Sequence, residues 1–253
     1  LEPRISVNQG NLINMYVALD RFDEAKAVSE RLGQKEPDNP TFHQELLSIA
    51  YMQDDRRAQE KEIQWLAGKP GEVLSLNLQF FNAIEHGQRR QAKELGPRML
   101  EMARRQGLTN AQPPPLARID ALVGDCEAAG KERSISVLCM DASALRIVLE
   151  KAAKNPPQNP DTAELLYQRG LAALTAGKGA AAAAEFQKIA DHRGRNRGLF
   201  YSPAYLGLAR AHANAGDTAK ARRAYQDFLA LWKDADKTLP FYIQATRELA
   251  QLR

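Results

Sequence analysis

Apolar residues recur along this chain with a helical period. Leu12, Met15, Tyr16 and Leu19 stand three and four positions apart, which sets them along one side of an α-helix. The run stops at Asp20, and a second periodic run follows. The order then repeats: an apolar helix, a turn built on Asp20, Gly87, Gly177 or Gly216, and a second helix. The second helix carries a small residue and, four positions on, an aromatic or apolar one, as in Ala221 and Tyr225. Residues four apart share a face one turn away. The small residue lets two helices approach, and the larger one fills the groove between them. The pattern predicts an all-α chain of helix–turn–helix units.

Offsets along the sequence support a repeat. GKGAAAAAEFQKI (177–189) aligns with GDTAKARRAYQDF (216–228) at a shift of 39, pairing Gly177 with Gly216, Ala182 with Ala221, Phe186 with Tyr225 and Ile189 with Phe228. Leu166 and Tyr205, and Gly170 and Ala209, align at the same shift. Nearer the start, LDRFDEA (19–25) returns as MQDDRRA (52–58) after 33 residues, and Ala92 lies 34 beyond Ala58. Pro37 and Pro70 each close a helix pair.

These units resemble the tetratricopeptide repeat, whose signature runs aromatic-x2-Leu-Gly-x2-Tyr, then Ala-x3-Phe, then Pro. Tyr205-x2-Leu208-Ala209-x2-His212 followed by Ala221-x3-Tyr225 matches it, and so does Leu166-x2-Arg169-Gly170-x2-Ala173 followed by Ala182-x3-Phe186. Ser29 and Glu62 stand where an aromatic is usual. The resemblance implies helix pairs stacked in a right-handed superhelix. The units fall near 4–37, 38–70, 72–108, 160–194 and 203–236, with an irregular one over 113–157, in a single domain. LPFYIQATRELAQLR predicts a C-terminal capping helix over 239–253, with Leu239, Tyr242, Leu249 and Leu252 on one face. The stretches 63–71, 122–126, 170–194 and 205–236 are similar to the C-terminal repeat region of multidomain bacterial signalling proteins common in acidobacteria. There the region follows a eukaryotic-like serine/threonine kinase or a winged-helix DNA-binding domain. The resemblance implies a regulatory or scaffold region that binds a protein or peptide.

Composition adds less. The 253 residues are 44% hydrophobic and carry a net charge of +4, too little to point to nucleic acid by itself. Eight Lys/Arg against two Asp between Lys188 and Arg223 keep nucleic-acid or anion binding through the basic C-terminal third as a second reading. No stretch of about 18 apolar residues occurs, so no membrane span is expected. The first residue is Leu1, and the expectation is a fragment of a longer protein. Cytoplasm is favoured if a kinase or DNA-binding domain precedes it, and an extracytoplasmic position after a transmembrane segment is the alternative. Cys126 and Cys139 lack metal-ligand spacing and are expected as small core residues.

No catalytic motif stands out, so the chain itself is read as no enzyme. A kinase needs a Gly-rich loop, a strand lysine and an HRD loop. His192-Arg193-Gly194 lacks the aspartate, and Gly177-Lys178-Gly179 reads as a turn rather than a phosphate loop. His43, His86, His192 and His212 form no zinc pair, so neither metal nor cofactor is expected, and His212 reads as a half-buried structural residue. Ser134 and Ser136, after Arg133, are weak phosphorylation candidates.

In the resembling fold the first helix of each pair lines the concave face. That assigns Asn14, His43, Leu47 and Tyr51, then Asn77, Phe81 and Ile84, as candidate peptide contacts. Tyr167, Leu171, Leu206, Arg210 and Asn214 complete the set. No Lys/Asn pair occupies the positions of the carboxylate clamp found in one subclass of the family. The stretch FQKIADHRGRNRG (186–198) is expected to turn Phe186 and Ile189 into the core. It should leave Arg193, Arg195 and Arg197 on an exposed loop, with Asp191 and His192 bonding locally.

Overall fold

A computed structural model describes residues 3–107, 116–130, 137–159, 161–195 and 199–252. Pro113–Pro115, Ser134, Ser136 and Arg197 lie outside the described residues, as do the expectations placed on them. Among the described residues every regular element is a helix, and there is no strand. The helices are α1 (Pro3–Ala18), α2 (Phe22–Lys35), α3 (Pro40–Met52), α4 (Arg56–Leu66), α5 (Glu72–Glu85), α6 (Arg89–Arg105) and α7 (Leu116–Leu122). A 3₁₀ turn at Val137–Cys139 precedes α8 (Ala142–Lys154), α9 (Ala163–Thr175), α10 (Gly179–Ala190), α11 (Tyr201–Asn214), α12 (Thr218–Leu231) and α13 (Pro240–Gln251).

Among the described residues one turn geometry recurs six times. Asp20, Asp54, Gly87, Gly124, Gly177 and Gly216 all adopt positive φ, between 54° and 80°. In each turn that residue's N–H donates to the carbonyl three back, and the next N–H donates to the carbonyl five back. For Gly216 and Asp217 the acceptors are Ala213 at 3.1 Å and His212 at 2.9 Å. For Asp20 and Arg21 they are Val17 at 3.0 Å and Tyr16 at 2.9 Å. This is the Schellman closure, which satisfies carbonyls that a helix end otherwise leaves free. Three of the turns then present an aspartate as N-cap of the following segment: Asp55, Asp125 and Asp217 accept from Ala58, Ala128 and Lys220.

The chain divides into two compact units. Unit 1 takes Leu1–Asn82, Leu95–Pro113 and His192–Arg197. Its core gathers Ile13, Val17, Ala25, Leu32, Phe42, Ile49 and Met52, with Tyr16 packed against them. The buried side of α1 is therefore Ile13 and Val17, while Leu12, Met15 and Leu19 stay exposed. The stripe read from the spacing is thus corrected: packing against α2 buries Ile13 and Val17, and of the expected residues only Tyr16 joins the core.

Unit 2 takes Ala83–Glu94, Pro114–Asp191 and Gly198–Arg253. Phe186 is fully buried, and a Cβ at Gly170 or Gly207 would come within 2.7 Å of its ring. Glycine on α9 and on α11 thus makes the space that Phe186 of α10 fills. Ala182 and Ala221 are also fully buried, as the small-residue pattern requires. Trp232 packs at a tilt against Phe228, with ring centroids 4.8 Å apart, and donates its indole N–H to the Glu85 carbonyl at 2.9 Å. Its ring lies against Gly87, where a Cβ would sit 2.8 Å away. On α13, Phe241 and Ala245 turn inward with Leu239, while Tyr242, Leu249 and Leu252 are only half-buried. The inward face is rotated from the expected one because Phe241 lies over Gly124, where a Cβ would come within 2.7 Å of its ring.

The cysteines correct the sequence reading. Cys126 and Cys139 form a disulfide, with Cα atoms 5.4 Å apart. The Gly124 turn folds Cys126 back toward the 3₁₀ turn that carries Cys139, a proximity that linear spacing does not reveal.

Candidate functional site

The predicted surface residues separate by burial. Leu47 is fully buried, and Ile84, Leu206 and Tyr167 are at most 4% exposed, so these four side chains belong to the packed interior. Burial pushes the Tyr167 phenol above its ordinary range. Asn14, Phe81 and Asn214 face solvent, and Tyr51, Asn77 and Leu171 are half-buried. Asn77 donates to the Met99 sulfur at 3.6 Å. Phe81 stands edge-on to Phe80 at 5.3 Å, and Leu74 lies exposed on the same helix.

His43 is engaged within unit 1. Its Nδ1 lies 2.5 Å from Oε2 of Glu62, whose side chain is only 3% exposed. Its ring stacks on Trp65 with centroids 3.4 Å apart, and the Lys69 ammonium sits 3.1 Å from the centre of the Trp65 ring. Glu62 stands where the C-terminal repeats carry Phe186 or Tyr225. A carboxylate cannot fill an apolar groove, and it is held by His43 and by Lys61 at 3.3 Å. A cleft of about 370 Å³ opens beside it among α2, α3 and α4, with Ala58, Glu62, Lys26 and Arg57 in its walls.

Arg210 in unit 2 is likewise committed. Its guanidinium forks onto both oxygens of Glu248 at 2.9 Å and donates to Gln244 at 2.8 Å. Tyr225 donates to Glu248 at 2.8 Å, and burial first, then that carboxylate, pushes its phenol up. His212 is half-buried, as expected, and burial holds its imidazole below its ordinary value. A second charged cluster joins Arg89 to Asp125 at 2.5 Å and Lys93 to Asp120 at 2.7 Å. An apolar groove of about 490 Å³ runs between α8 and α9, past Leu145, Leu149 and Ala172.

The arginine-rich stretch departs most from expectation. Phe186 and Ile189 are buried and Asp191 bonds locally, to Gln187 at 2.6 Å, as read. Arg193 is not solvated. It forks onto Asp54 at 2.9 and 3.3 Å and donates to the Tyr51 carbonyl at 3.3 Å. His192 Nδ1 lies 3.3 Å from Oδ2 of Asp20, and Gly194 donates its N–H to Oδ1 of the same carboxylate at 2.7 Å. Gly194 is buried, and a Cβ there would fall 1.7 Å from the Val17 carbonyl oxygen. Arg195 is exposed, and Arg197 lies outside the described residues.

Among the described residues no group of three His, Cys, Asp or Glu is placed to hold a metal ion, and no helix is long and apolar enough to cross a membrane. Comparison with protein-family models and with curated proteins returns no match.

Proposed function

We propose that this chain is a non-catalytic scaffold of tetratricopeptide type, a right-handed superhelix that binds a protein or peptide. Five helix–Schellman turn–helix hairpins, with a sixth turn of the same geometry after α7, carry the reading among the described residues, because stacked hairpins of one shape are how solenoids build long binding faces. The apolar and amide side chains left open on α1 and α5, among them Asn14, Leu74 and Phe81, are the surface most suited to an extended or helical peptide. By the resemblance, the chain serves as the regulatory region of a larger bacterial signalling protein with a serine/threonine kinase or winged-helix domain. The Cys126–Cys139 bridge favours the extracytoplasmic side for that region, since disulfides persist in oxidising compartments. Internal pairing of Arg193, Arg210, Lys188 and Lys220 leaves less free charge for the nucleic-acid reading.

Peptide selection from a random displayed library against the whole chain tests the proposal. Enriched peptides should bind with micromolar Kd and weaken at least roughly tenfold on Phe81→Ala, the loss expected when an aromatic anchor is truncated. Failure to enrich any peptide, or peptides indifferent to every exposed first-helix substitution, would refute it.

A further inference from the structure

The turn edge of unit 1 differs from the other hairpin turns. Four turns place glycine at the left-handed position, whereas the α1–α2 and α3–α4 turns place Asp20 and Asp54 there, at φ of 57° and 54°. A side chain disfavours that conformation, though aspartate tolerates it better than most residues. What the two positions gain is a pair of carboxylates one repeat apart. Each sits at a helix C-terminus, where backbone carbonyls concentrate negative charge. Val17 and Tyr51 supply those carbonyls.

The segment His192–Gly194 shows what this edge accepts. Asp54 takes a guanidinium fork, reinforced by the Tyr51 carbonyl. Such planar, two-point recognition selects arginine over lysine. Asp20 takes the next backbone N–H, at 2.7 Å. The Val17 carbonyl closes the remaining space, so that residue must be glycine. Side-chain charge, backbone direction and steric exclusion thus converge on one dipeptide.

The geometry points to a docking site for an Arg-Gly turn segment on the turn edge of unit 1, filled in this chain by its own Arg193-Gly194. The edge receives the same motif from a partner polypeptide whenever the internal segment is displaced. This site is separate from the first-helix face and stands whether or not that face binds a peptide.

The test uses the full chain and the fluorescent peptide Asp-His-Arg-Gly-Arg-Asn, followed by anisotropy at low salt. In the Arg193→Ala chain, whose Asp54 has lost the guanidinium fork, the peptide should bind with micromolar Kd. The unaltered chain should bind it at least tenfold more weakly, because its own segment competes. Adding Asp54→Asn to Arg193→Ala should abolish binding. A peptide with alanine for the glycine should lose at least tenfold, and one with lysine for the arginine should also weaken. If Arg193→Ala does not fold, the unaltered chain labelled with ¹⁵N-glycine answers instead, since excess peptide should shift the Gly194 amide resonance. No binding to a folded Arg193→Ala chain at 1 mM peptide, or no Gly194 shift in the fallback, would overturn the site. So would binding that survives Asp54→Asn. Arg193-dependent dimerisation of the unaltered chain, without peptide binding, would make a second copy the occupant and overturn the partner assignment.

Discussion

The α9–α12 hairpins of unit 2 and the α1–α4 hairpins of unit 1 close their turns with the same hydrogen bonds and fill their grooves differently. In α9–α12 the turn residue is glycine and the groove residue is Phe186 or Tyr225, both buried. In α1–α4 the turn residue is aspartate and the groove residue is Ser29 or Glu62. Ser29 answers its burial by donating to the Ala25 carbonyl at 3.0 Å, and Glu62 recruits His43. The backbone hydrogen bonds define the hairpin, and the side chains decide whether it is purely structural or also carries polar chemistry. Beside Glu62 a cleft opens, and where glycine is missing a carboxylate holds the His192–Gly194 segment.

The largest expected effect is in the aromatic groove. Phe186→Ala should destabilise the protein by about 3–5 kcal/mol, because the two glycines facing the ring cannot collapse into the space. Urea unfolding measures it, and a loss below about 1 kcal/mol would mean that the groove is not a packing centre. Next comes the polar counterpart. Glu62→Ala should cost about 2 kcal/mol by leaving His43 without its partner. Glu62→Phe, which supplies the aromatic of the other repeats, should recover roughly half of that loss by filling the cleft. If the phenylalanine variant is no better than the alanine one, the two grooves are not equivalent.

The turns give a smaller contrast. Gly177→Ala should cost about 1 kcal/mol through backbone strain alone, because nothing lies within 4 Å of the added Cβ. Asp54→Gly relieves similar strain, so in an Arg193→Ala background, where the fork is already gone, it should raise the melting temperature. A fall would show that the Asp54 carboxylate stabilises the turn by another route. The smallest effect concerns pH. The folded imidazole of His212 lies below its unfolded value of 6.5, so the unfolded chain binds the proton more readily. The stability this residue contributes is therefore complete above about pH 6.5 and declines as pH falls through the lower folded value. Partial exposure keeps the change modest. His212→Gln should flatten the melting temperature between pH 7.5 and 5.5, and an unchanged slope would assign it to other groups.

Much of the local structure was legible because it follows from near-neighbour physics. Asp20, Gly87, Gly177 and Gly216 were identified as turns, and all four adopt the left-handed conformation. Ala182, Ala221, Phe186 and Ile189 were read as core, and all are buried. The candidate surface was less legible. Spacing places Leu47 and Asn14 on comparable faces of their helices, yet one is buried and the other exposed, because exposure depends on which neighbouring helix covers the face. α1 makes the same point, because Ile13 and Val17 are buried where Leu12, Met15 and Leu19 stay exposed. Apolar periodicity says that a helix has a side to bury and leaves open which one it will be.

By itself, then, the sequence determined the helices, their turns and the small-and-large pairing of the second helices, all of which act over a few residues. Only the tertiary structure decided the Cys126–Cys139 bridge, the Trp232 bond to the Glu85 carbonyl and the seating of Arg193 on Asp54. The two residues of that last pair are 139 positions apart. Charge on the sequence identifies a group that needs a partner, but chain folding alone determines whether that partner is water or a carboxylate.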